Sequence, residues 1–186
     1  MSAPNVIKRG RLGNGLIIVN TGNGKGKTTA ALGLGLRAVG HEMKVLMLQF
    51  IKGSWHTGEL DAVKRLEPDF KIVQLGQGFI KTRKTEQTES AIENARKSWD
   101  YARQEIFSNL YDIVILDEIN NMIDYGLISI EDVSSVLKEK PERLNVILTG
   151  RNAHEKIIEL ADMVTEMREV KHHYKKGIKA QKGIEF

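Results

Sequence analysis

The chain has 186 residues and no cysteine, with 41% hydrophobic and 28% charged residues, a size and balance that suit one folded domain with a single core. The missing cysteine excludes disulfides, a thiolate zinc site, a thiol nucleophile and a redox dithiol. The net charge of +4 belongs to the tail, where five lysines from Lys171 onward face only Glu185, so a neutral body argues against a surface that tracks nucleic-acid phosphates.

No apolar run approaches the roughly 20 residues that cross a bilayer. The start, M-S-A-P-N-V-I-K-R-G-R, is charged but lacks the apolar region of a secretory signal. A cytoplasmic protein without membrane association is expected. Residues 1–13, with Lys8, Arg9 and Arg11, read as a basic arm ordered only by docking.

The first element is an apolar strand, Leu16 to Val19. It runs into Gly22, Gly24 and Gly26, then Lys27, Thr28 and Thr29, and then an Ala- and Leu-rich helix from Thr28 to Val39. Strand, glycine-rich turn and helix form the setting of a phosphate-binding P-loop. The glycines let successive backbone N–H groups converge, and the helix N-terminus adds a positive dipole end. Lys27 would reach the phosphates and the Thr28 hydroxyl would ligate Mg²⁺. The bland alternative is a flexible turn. One departure stands out: the usual spacing, G-x-x-x-x-G-K-[ST], places a glycine where this chain has Thr21.

Inside the helix, Gly33 and Gly35 weaken it by about 1 kcal/mol each relative to Ala, which close packing on the sheet would explain. Gly40 suits its end. Lys44–Phe50 is a near-continuous apolar run, as in a parallel strand covered on both faces. A helix over Glu59–Leu66 and a strand over Lys71–Leu75 follow. Residues 76–87 form a long loop, of the kind that is usually functional or mobile. The longest helix comes next, with Ser90 and Glu93 as a capping box and a core stripe of Ile92, Ala95, Trp99, Ala102 and Ile106. A strand at Asp112–Leu116 ends in Asp117-Glu118. Ser129 and Asp132 open a helix that Pro141 closes. The chain then gives a strand at Asn145–Thr149, a turn at Gly150–Asn152, a helix at Ala153–Ala161 capped by Asn152, and a last strand at Met163–Met167.

This alternation predicts an α/β fold of the P-loop NTPase type, a mostly parallel sheet with helices on both faces. Residues 14–186 read as its single domain, basic tail included. Ligands are expected at the carboxyl ends of the strands. Apolar residues ending in an acid, I-V-I-L-D-E at 113–118, form a Walker B pattern. At least one of Asp117 and Glu118 is expected to help hold Mg²⁺, against a plain helix-capping role. The five histidines lack zinc-ligand spacing, and His172-His173 reads as solvated surface. No G-x-S-x-G elbow marks a nucleophile.

From about Arg9 to Phe186 the chain resembles the P-loop type of corrinoid adenosyltransferase. The resemblance rests on T-G-N-G-K-G-K-T-T-A-A, R-A-V-G-H, Q-F-I-K-G, G-F, V-I-L-D-E, I-L-T-G-R-N-A-H, A-D-M-V-T-E-M and the ending G-I-K-A-Q-K-G-I-E-F. It implies transfer of the 5′-deoxyadenosyl group of ATP, the co-substrate, to the cobalt(I) of a corrinoid acceptor, with triphosphate released. It further implies a nucleotide lying opposite to the usual orientation, and a homodimer. Carried over by motif, Gly22, Asn23, Gly24, Lys25, Gly26, Lys27, Thr28 and Thr29 hold the nucleotide. Thr28 and Glu118 hold Mg²⁺ (or Mn²⁺). Asp117 is either a partner behind the metal ligands or a structural strand-end carboxylate. Arg151 is a nucleotide contact or a surface arginine, and Phe79 a corrinoid contact or a core anchor. The family's tryptophan two residues beyond that Phe is replaced by Lys81.

On this reading cobalt(I) needs no general base, so the protein's task is alignment and stabilisation of the leaving charge, with Lys25 and Lys27 contributing. Lacking cysteine and a flavin motif, the chain calls for an external reductant such as a flavoprotein. The alternatives are a P-loop small-molecule kinase or ATP-driven motor, and a non-catalytic nucleotide-binding partner protein.

Overall fold

The computed structural model describes residues 13–53, 56–76 and 88–185. Six parallel strands lie in the order β3-β2-β4-β5-β1-β6. They are β1 (Ile17–Thr21), β2 (Val45–Gln49), β3 (Phe70–Gln74), β4 (Ile113–Asp117), β5 (Asn145–Thr149) and β6 (Met163–Glu166). Every residue of β1, β2 and β4 is buried, which is why they read as unbroken apolar runs.

Strand alternation sorts the core into two layers. Ile18, Val45, Met47, Ile113, Ile115 and Ile147 pack with Ala31 and Ala38 of α1 (Lys27–Val39) and Val63 of α2 (Gly58–Lys64). Ile17, Val19, Leu46, Leu48, Val114, Leu116, Val146 and Leu148 face the other helices. These are α3 (Glu89–Phe107), α4 (Ile119–Asp124), α5 (Ile130–Glu139) and α6 (Glu155–Leu160). Helices therefore cover both faces, as expected.

Several local readings change. Helix α3 is capped by Thr88, whose side chain accepts from Ala91 N, in place of a Ser90 capping box. In its stripe Ala95, Trp99, Ala102 and Ile106 are buried, but Ile92 is 47% exposed, one turn from the end of the helix. His154, not Asn152, caps α6. Asn152 instead sits at φ 53° and donates to Asp124. Gly35 lies against Phe70, where a Cβ would come within 2.5 Å of the ring, whereas Gly33 has open space around it. Only one of the two helix glycines thus serves packing. Helix α4, which follows the acidic pair directly, was not foreseen. The described residues begin at 13, so the basic arm falls almost wholly outside them.

Candidate active site

The strands end in buried polar residues: Thr21, Gln49, Asp117 and Thr149 close β1, β2, β4 and β5. Strand β5 lies between the P-loop strand β1 and the acidic strand β4. Asp117 is fully buried, and its Oδ1 accepts from the Thr28 hydroxyl at 2.8 Å and from the Thr149 hydroxyl at 2.7 Å. The Thr149 oxygen in turn accepts from the Glu118 backbone N–H at 2.9 Å. One threonine side chain therefore fixes both members of the acidic pair. Sequence reasoning missed Thr149; the T-G-R following an apolar strand was its only signal.

The loop from Gly22 to Thr28 is clipped to the chain beyond β6. Gly24 N donates to Met167 O at 2.6 Å, and Met167 N donates to Thr21 O at 2.8 Å. A Cβ on Gly24 would stand 2.7 Å from Met167 O, so a bare backbone is required there. Gly22 and Gly26 adopt φ of 92° and 107°, conformations that glycine tolerates best. Thr21 has a structural reason as well. It extends β1 by pairing with Glu166, and its Oγ1 accepts from Ala153 N at 3.1 Å.

Lys27 is buried, and its ammonium donates to the Gly22 and Gly24 carbonyls at 2.8 and 2.6 Å. Burial lowers its pKa, helped by the like charges of Arg151 and Lys25 and opposed by Glu118 and Asp117. Lys25 is exposed and pairs with Glu185 at 3.3 Å, which ties the tail to the loop. Asn23 and Thr29 are exposed.

Glu118 sits at φ 66° immediately before α4. Burial pushes its pKa up, and the neighbouring charge of Asp117 adds to the rise. Burial raises Asp117 too, outweighing Lys52 and the two hydroxyl bonds. Its Oδ2 is buried with no hydrogen-bond partner among the described residues. Two carboxylates under such pressure, an orphaned oxygen and the Thr28 hydroxyl make an all-oxygen donor set, which suits a hard divalent cation.

Arg151 is placed by α4: Asn121 Oδ1 accepts its backbone N–H at 2.7 Å. At Gly150, with φ 128°, a Cβ would meet that same Oδ1 at 2.5 Å. Arg151 acts electrostatically on both Lys27 and Glu118, so the structure brings it to the site. Phe79 and Lys81 lie outside the described residues. His172 and His173 are half-buried rather than solvated, with stacked rings and His173 paired to Glu185 at 2.9 Å. Their nitrogens and the Glu185 carboxylate converge within 4.8 Å. His172 Nδ1 accepts from Tyr174 N, however, which leaves its proton on the other nitrogen.

The model of the family described as ATP:corrinoid adenosyltransferase BtuR/CobO/CobP matches residues 13–186. The chain belongs to this family. It is 44% identical over 172 residues to the corrinoid adenosyltransferase of Escherichia coli, covering 92% of this chain and 86% of the relative. It is 45% identical to that of a Sinorhizobium species, covering 92% and 80%, and 42% identical to corrinoid adenosyltransferase CobA of Salmonella typhimurium, covering 92% and 86%. Among solved structures, the flagellar accessory protein FlaH of Methanocaldococcus jannaschii superposes with a TM-score of 0.59 at 13% identity, over 83% of this chain and 72% of that one. That likeness concerns the fold. The protein is an ATP-using transferase that passes an adenosyl group to a corrinoid. No helix among the described residues is long and apolar enough to cross a membrane.

Proposed function

We propose that residues 22–28 grip the triphosphate of ATP while cobalt(I) of the corrinoid attacks the ribose C5′. The cobalt electron pair forms the Co–C bond, the C5′–O bond breaks, and its electrons leave with the triphosphate. Cobalt goes formally from +1 to +3, and no proton moves in the step. The work left to the chain is alignment and charge stabilisation.

The observation that carries this reading is the bonding of buried Asp117 to both Thr28 and Thr149. The Thr28 proton is committed to Asp117, so its oxygen lone pairs are free for Mg²⁺ or Mn²⁺, with Glu118 as the second ligand. When bound, the cation screens the charge gathering on the departing triphosphate. Lys27 and Lys25 add positive charge, and Gly22, Asn23, Gly24, Gly26 and Thr29 shape the loop. Asp117 orients Thr28 from behind, and Arg151 faces the same phosphates. Phe79 is assigned to the corrinoid side on the resemblance alone.

The reductant that delivers cobalt(I) is external, with a flavoprotein as the natural class. Cysteine is absent from the chain, and so are dithiols to reduce cobalt. A cytoplasmic homodimer completes the proposal, which sedimentation would check.

The test combines protein, ATP, Mg²⁺ and chemically reduced corrinoid, and follows the alkylcobalt spectrum. Glu118→Ala is expected to lose transfer and to need far more Mg²⁺. A variant with wild-type Mg²⁺ dependence would remove Glu118 from the metal.

A further inference from the structure

Beside the P-loop lies a cleft of about 380 Å³ lined by Asn23, Arg151, Glu166, Arg168, Glu169 and Lys175. All six are polar or charged residues. A purine or a corrin face seeks aromatic or aliphatic side chains to pack on, and none is among them. Lys175 and Glu169 are ion-paired with each other, which leaves Arg151, Arg168 and Glu166 as the other charged residues of the lining. Among the described residues neither arginine has a carboxylate within ion-pair distance. Two such guanidinium groups lining one cleft repel each other, and an anion between them replaces repulsion with charge-assisted hydrogen bonds.

The cleft is continuous with the loop. Arg168 follows Met167, whose carbonyl accepts from Gly24 N, and a Cβ on Gly24 would stand 2.8 Å from the Arg168 carbonyl carbon. Arg151, in the same lining, acts electrostatically on Lys27 and Glu118. We propose that Arg168, which lines the same cleft as Arg151, is a phosphate-binding residue that holds the end of the triphosphate chain remote from the reacting carbon. It would retain that end as the triphosphate becomes the leaving group. This assignment rests on reading the P-loop as the triphosphate holder.

The probe is inorganic triphosphate, titrated calorimetrically into the full chain without corrinoid and compared with adenosine. Arg168→Gln is expected to weaken triphosphate by about tenfold or more, the scale of a lost charged hydrogen bond, and Arg168→Lys to recover part of it. Adenosine affinity should not change, and KM for ATP should rise with a smaller change in kcat. Arg168 is exposed, and an unchanged melting temperature would verify that the variants fold. Lys27→Ala separates the two levels of the argument. If it abolishes triphosphate binding while Arg168→Gln binds as wild type does, the P-loop reading stands and the role of Arg168 is overturned. If Arg168→Gln weakens adenosine and spares triphosphate, the cleft holds the nucleoside end and the proposal is wrong. Failure of the wild-type chain to bind triphosphate would overturn both.

Discussion

The Thr28 hydroxyl donates to Asp117 Oδ1 at 2.8 Å across 89 residues of chain, joining the first turn of α1 to the end of β4. Asp117 serves this contact at a cost, since burial lifts its pKa. A carboxylate whose folded pKa is raised favours its neutral form in the folded state. Its stability contribution is full below the unfolded value of 3.8 and is lost as pH rises through the folded value. Asp117→Asn is therefore expected to melt no lower than wild type at neutral pH. It should still lose about 10- to 100-fold in activity, as when a partner behind a metal ligand is removed. Thermal melts beside turnover rates check both halves.

Glu59 shows the opposite sign. Burial alone would raise its pKa, but the Lys52 ammonium, 2.6 Å from its Oε1, offsets this together with smaller contributions from the backbone and Thr57, and the carboxyl is held below its usual value. A depressed carboxylate contributes stability above its unfolded pKa of 4.5 and loses it as pH falls through the folded value. Replacing Glu59 with Gln should lower the melting temperature at neutral pH, and the gap to wild type should narrow in acid. A constant gap across pH would mean that the pair contributes nothing through its charge.

The two glycines inside α1 should separate cleanly. Gly33→Ala adds a methyl in open space and is expected to stabilise by roughly 0.5–1 kcal/mol. Gly35→Ala drives a Cβ to 2.5 Å from Phe70 and should cost about 1–3 kcal/mol. Denaturant unfolding of both variants gives the comparison.

At Gly24 a side chain would collide with the Met167 carbonyl and the Arg168 backbone. Gly24→Ala is expected to weaken ATP by at least about tenfold, or 1.4 kcal/mol, because the loop must move off the segment that follows β6. Tight binding with an intact fold would show that the clip is dispensable.

Most of this architecture was legible because parallel strands buried on both faces leave long apolar runs, as in Lys44–Phe50 and Ile113–Leu116. That Lys27, Thr28 and Asp117 come together was legible for another reason, since a P-loop and an acidic strand end are expected at the same edge of such a sheet. Thr149 escaped because its role depends on β5 lying between β1 and β4, a neighbourhood that no local pattern encodes. Helix α4 escaped because six residues give too little periodicity. The caps went astray by two residues in each case, Thr88 for Ser90 and His154 for Asn152, since several capping-type side chains lie within one turn and the local sequence does not say where the extended chain gives way to helix. Gly33 misled because a helix glycine reads alike whether it packs or faces solvent. The tail's link to the loop, Lys25 to Glu185, spans 160 residues and depends wholly on the fold.

The central claim is that the bond broken in ATP is C5′–O and not a bond between phosphates. Phosphorus NMR of a single-turnover reaction with ATP, divalent cation and cobalt(I) corrinoid tests it directly. Intact triphosphate, formed mole for mole with the Co–C product, is the predicted result. ADP and orthophosphate as the products would contradict it.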